Sequence, residues 1–129
     1  MVGRRTLATG LAVMGAGLAG LAACVSQPAA TVTPAALEAA FAGHSYVGTQ
    51  ADGAAVCIHH AADGTFVGRA GGLVSGTWAI REDRLCYSYA RNPDLSACRQ
   101  VVLAGNRAAL LEDGTLLSQG HLAEGNVCA

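Results

Sequence analysis

Apolar and polar side chains alternate one by one through most of the chain beyond position 44, in short runs cut apart by turn chemistry. The alternation is plainest where Leu85, Tyr87 and Tyr89 interleave with Cys86, Ser88 and Ala90. Successive side chains of a strand point to opposite faces, so a run of this kind has one face for a core and one for water. The separators are Asp52-Gly53, Asp63-Gly64, Gly71-Gly72, Glu82-Asp83, Asn92-Pro93-Asp94, Gly105-Asn106 and Asp113-Gly114. Turn signals roughly every ten residues between half-apolar runs are the rhythm of an all-β fold. The runs SYVGTQ, AVCIHH, TFVGRA, SGTWAI, LCYSYA, ACRQVVL, RAALL and TLLSQ predict an eight-strand antiparallel meander, with strands between residues 44 and 122. Such a meander hides its edges as a small barrel or as a strongly twisted sheet closing on itself.

Ahead of the strands the period changes. Thr33 can cap a helix, Pro34 suits its first position and Gly43 its exit. Leu37 and Phe41, four apart, share a face. The pattern predicts a short helix over residues 34–42, too short to be stable alone and therefore packed on the β-domain as a lid or plug. Residues 24–32 read as a flexible tether, and residues 33–129 as one small domain.

The first residues differ again. Met1 to Arg5 are cationic, and Thr6 to Ala23 carry no charge before Cys24. A positive start, an apolar run and a small-residue exit make a secretory signal peptide over residues 1–23. A retained membrane helix fits less well, because the run is short and contains Gly10, Gly15, Gly17 and Gly20. Leu21-Ala22-Ala23-Cys24 resembles the lipobox of bacterial lipoproteins. That resemblance implies cleavage before Cys24, a diacylglycerol thioether on its sulfur and acylation of the new amino terminus (palmitate being the usual acid). The membrane is then a partner through lipid on Cys24, since two or more acyl chains anchor stably. Arg4-Arg5-Thr6-Leu7 resembles a twin-arginine export core, while paired arginines also occur in Sec signals. Val25 stands where the family's inner-membrane retention signal has Asp, which implies the periplasmic face of the outer membrane.

Composition narrows the partners. Beyond residue 23, six arginines face nine acidic residues and there is no lysine, a formal charge of −3. No polybasic patch is available for nucleic acid. Four cysteines remain beside Cys24, and in a short exported domain they form a disulfide framework with three possible connectivities. Cys86 and Cys98 lie symmetrically about Asn92, the expected tip of a hairpin, and should face each other across the ladder. Cys57 is left for Cys128, tying down the C-terminal tail. Loop-closure entropy puts the shorter link at about 3 kcal/mol and the longer at about 4.

Nothing in the pattern selects a catalytic set. His59 and His60 are adjacent on one strand and point to opposite faces, so they cannot chelate one ion together. The aspartates fall in turns, where they bond nearby amides. No serine elbow, phosphate loop, zinc spacing or cofactor motif is present. Gly68, Gly71, Gly72 and Gly76 read as bulges or tight bends, or as room for a ligand. Trp78, Tyr87 and Tyr89 are the candidate ligand or partner contacts; Tyr46 is a further pocket-lining candidate, and Trp78 fits a core position as well.

Asp63-Gly64, Gly76-Thr77-Trp78, Leu85-Cys86, Cys98 and Asp113-Gly114 together look like small exported bacterial β-proteins of unassigned function, over residues 44–125. A thinner similarity is to periplasmic inhibitors of secreted metalloproteases, which are disulfide-tied barrels with an inhibitory N-terminal arm. The expectation is a lipid-anchored envelope protein that binds or scaffolds an envelope protein partner without catalysis. The alternatives are a protease inhibitor and a lipocalin-like carrier of a small apolar ligand, the latter requiring a real cavity.

Overall fold

The computed structural model describes residues 32–129; the expected signal peptide, Cys24 and the expected tether up to residue 31 lie outside the described residues. Helix α1 (Pro34–Phe41) is followed by eight strands: β1 (His44–Gln50), β2 (Ala55–His60), β3 (Thr65–Ala70), β4 (Leu73–Arg81), β5 (Arg84–Tyr89), β6 (Asn92–Ala104), β7 (Arg107–Glu112) and β8 (Thr115–Glu124). The helix begins as its cap requires: the Ala36 N–H donates to Thr33 Oγ1 at 3.1 Å. It ends one residue earlier than expected, with Ala42 as its C-cap.

Each strand pairs antiparallel with the next, and β8 returns to β1, so of the two expected forms the sheet takes the closed barrel. The seam matches Tyr46 with Leu122, Gly48 with Gly120 and Gln50 with Ser118. To make it, β8 runs two residues past the expected limit, to Glu124. At the seam Gly48 and Gly120 face each other across strands so close that a Cβ on either would overlap the other strand's backbone. Gly68 and Gly76 are similar inward corners, where a Cβ would overlap the carbonyls of Cys57 and Ser88. A small barrel needs such bends in order to curve. Gly71 and Gly72, at φ 72° and 143°, form the β3–β4 turn.

The two-residue alternation sorts inside from outside. Val56, Ile58 and His60 of β2 point in, as do Leu85 and Tyr87 of β5, and all are buried. Cys57 and His59 point out. Both disulfides therefore lie on the outer wall, and both pair as expected: Cys86 with Cys98, directly opposed on β5 and β6, and Cys57 with Cys128, 71 residues apart.

The hairpin that carries Cys86 and Cys98 differs from expectation at its tip. The turn is Ala90-Arg91, and Tyr89 pairs with Asn92. The register symmetric about residue 92 holds only as far as Ser88 and Ser96. The three residues 93–95 form a bulge between the two registers. Proline has no N–H for a ladder bond, so Pro93 sits in the bulge without disturbing the hairpin.

Candidate functional site

In an up-and-down barrel the turns fall alternately at its two ends. The β2–β3, β4–β5 and β6–β7 turns share one end with α1, which packs against β1, β4 and β5. Leu37 and Phe41 are fully buried there, and burial of two such side chains contributes about 1.5–3 kcal/mol each. The Phe41 ring meets His60 edge-on at 5.0 Å, and His60 meets Trp78 edge-on at 5.4 Å. Trp78 Nε1 donates to the Ala61 carbonyl at 2.9 Å, so its one polar atom is satisfied. This end is shut.

The other end is open. Between the β1–β2, β3–β4, β5–β6 and β7–β8 turns lies a cavity of about 270 Å³ inside the barrel. Its walls are aromatic and aliphatic: Phe66, Tyr46, Ile58 and Leu110 with Tyr87 and Tyr89. Phe66 stands edge-on to Tyr87 at 5.0 Å and to Tyr89 at 5.6 Å, a geometry that favours aromatic pairs. The polar atoms of the lining come from Gln50, Ser118, Arg99 and the tyrosine hydroxyls.

Two of those hydroxyls are already committed. Tyr46 Oη and Ser118 Oγ bond each other at 2.9 Å. The Tyr87 hydroxyl bonds His60 Nε2 at 2.5 Å, joining the cavity to the shut end. His60 Nδ1 lies 3.2 Å from the His44 carbonyl oxygen, which only accepts. Nδ1 thus carries the imidazole proton, and Nε2 accepts from Tyr87. Burial, outweighing the bond to His44, pulls the His60 pKa down to about 4. Burial likewise pushes the Tyr87 phenol well above its ordinary range, with Tyr89 and Tyr46 adding to the shift and Arg99 opposing it. Tyr46 is raised by burial and partly lowered by its bond to Ser118. None of these groups is poised to exchange protons near neutral pH.

Among the described residues, Arg99 is the one charged residue of the cavity wall. Its Nη1 donates to Glu112 Oε1 at 2.7 Å, with the arginine side chain 26% and the glutamate 54% exposed. Of the sequence candidates, Tyr46, Tyr87 and Tyr89 meet in this cavity, whereas Trp78 belongs to the shut end. Arg99, Phe66 and Gln50 escaped the sequence reading. Arg99 was legible in principle: if Cys98 faces out to meet Cys86, the next residue must face in.

Outside the barrel, Ser45 and His59 form a serine–histidine contact of 3.2 Å. The Ser45 hydroxyl donates its single proton to the Gly125 carbonyl at 2.6 Å and accepts from the Val127 N–H at 3.1 Å. It is a clamp for the C-terminal tail, held again by the Gly125 N–H on the Gly43 carbonyl and by the Cys57–Cys128 link. Two of the turn acids bond nearby amides as expected, Asp52 accepting from the Ala54 N–H and Asp63 from both donors of Thr65, whereas Asp94 falls within β6 and not in a turn. Among the described residues no three His, Cys, Asp or Glu side chains gather to hold a metal ion. No protein-family model matches the chain, and no match was found among curated proteins or solved structures.

Proposed function

We propose that the protein is an exported, lipid-anchored binding module of the cell envelope that admits a small ligand to the open end of its barrel and performs no chemistry on it. The observation that carries the binding role is the one-ended cavity: aromatic walls, an open mouth and a floor sealed by His60, Trp78 and Phe41. Concave, mostly apolar sites with a few placed polar groups are where small molecules bind. Of the alternatives, this favours the carrier reading, which needs a cavity, over the protease inhibitor, which does not. The volume is below the ~300–1,000 Å³ usual for drug-sized ligands, so the ligand is small. Export and the anchor rest on residues 1–24, with support from two disulfides, which persist in oxidising compartments.

Intact mass of the membrane fraction, wild type beside Cys24→Ala, tests the anchor. A species beginning at residue 24 with added acyl mass is expected, and it should vanish in the variant. A soluble, unacylated wild-type product would refute the anchor. The cup is tested on the full-length product as the cell makes it, held in nanodiscs when acylated. Saturation-transfer NMR against a fragment set should detect binders that Ala70→Phe, a substitution on the cavity wall, displaces. Binding that is absent, or undiminished in that variant, would overturn the cup as a ligand site.

A further inference from the structure

The register of β6 places a guanidinium inside a cavity whose other described wall residues are uncharged. Arg99 pairs across β5 with Leu85, a fully buried core residue, and its neighbour Gln100 pairs with Leu111 of β7. A guanidinium has five N–H donors, and among the described residues Arg99 bonds the protein side chains through one nitrogen, to Glu112. That carboxylate is more than half exposed and is not part of the cavity wall. Of the cavity's hydroxyls, Tyr46 and Ser118 bond each other and Tyr87 spends its proton on His60, while the Gln50 amide and the Tyr89 hydroxyl are neutral polar groups at the wall. The cup offers a guest ring surface from Phe66, Tyr87 and Tyr89, a few neutral polar groups, and surplus charged donors at one point, Arg99.

We propose that the ligand is a compact planar carboxylic acid, its ring packed among Phe66, Tyr87 and Tyr89 and its carboxylate on the Arg99 guanidinium. This rests on the binding role proposed above and names the chemistry of its ligand. At ~30 Å³ of liquid per water, the cavity holds the equivalent of about nine waters, so a single ring with a short acidic arm fills it. The planar fork of arginine matches a carboxylate with two parallel bonds, which a lone Glu112 oxygen leaves open. An amine would find the same aromatic faces, but it would share the cavity with the Arg99 charge.

Three isosteres separate these cases: trans-cinnamate, cinnamamide and cinnamylamine, titrated by calorimetry against the full-length product. Cinnamate should bind about tenfold or more tighter than the amide, the margin a charge-assisted bond supplies. Arg99→Gln should erase that margin, weakening cinnamate far more than the amide, and Arg99→Lys should keep part of it. Glu112→Gln should tighten cinnamate several-fold, because it frees the guanidinium and removes a competing carboxylate. Amide binding equal to the acid's, or amine binding above it, would overturn the acid while leaving a ligand site in place. No binding by any of the three would overturn the acid and count against the cup itself.

Discussion

The two ends of this barrel are made by the same eight strands and have opposite characters. At one end every inward group has a partner: Phe41, His60 and Trp78 pack ring against edge, and both nitrogens of His60 are bonded. At the other, an aromatic wall faces open volume, and a guanidinium has more donors than the described residues use. An eight-strand barrel is just wide enough for side chains to fill it. Whether it becomes a solid core or a cup thus depends on what each end supplies. Here α1 supplies Leu37 and Phe41 to one end, and no element of the described chain does the same for the other. Tight packing is concentrated at the plug and open volume at the mouth, joined by the Tyr87–His60 hydrogen bond.

The strongest way to break this contrast is Phe41→Ala. Truncating a fully buried ring at the plug should cost about 3–5 kcal/mol in denaturant unfolding. A cost under about 1 kcal/mol would mean that the plug is decorative. Next is acid. The His60 pKa falls to about 4 in the folded protein, from an ordinary value of 6.5. A base depressed by folding stabilises the fold fully above pH 6.5, and this contribution is lost as pH falls towards 4, because the unfolded chain takes the proton first. The loss is on the order of 3 kcal/mol, and it should be missing from the pH profile of His60→Gln. A profile that keeps its full slope in that variant would place the acid sensitivity elsewhere. The smallest effect belongs to the mouth: Val74→Ala, on the cavity wall, should cost only about 1 kcal/mol because its side chain already borders a void. Equal losses at Phe41 and Val74 would dissolve the distinction between the ends.

The strands, the helix and both disulfides were legible because each leaves a local mark. Leu85, Tyr87 and Tyr89 share one parity, Thr33 and Pro34 announce a helix, and Cys86 and Cys98 are spaced for a ladder. Closure was not legible, since the β1–β8 seam depends on a pairing such as Tyr46 with Leu122, which no local pattern records. The hairpin tip was displaced because Asn92-Pro93-Asp94 is strong turn chemistry, and a bulge uses the same residues. His60 could not be told from His59 by kind, only by parity: Val56 and Ile58 carry the inner face, and His60 continues it. Arg99 was hidden by its charge, which in an alternating run reads as outward-facing until the cysteine beside it is given a side.

The seam and the tail have a consequence for the order in which the chain can mature. Cys86 and Cys98 are 12 residues apart and can join as soon as one hairpin exists, whereas Cys57 waits for a partner 71 residues downstream. In the folded barrel that partner is held in place by the docking of β8 on β1 and of the tail on Ser45. A chain cut off before Cys128 therefore keeps a free thiol on its outer wall. That thiol is a chemical mark of an unfinished molecule, which a thiol-reactive label or a disulfide-forming enzyme can read without testing the fold at all.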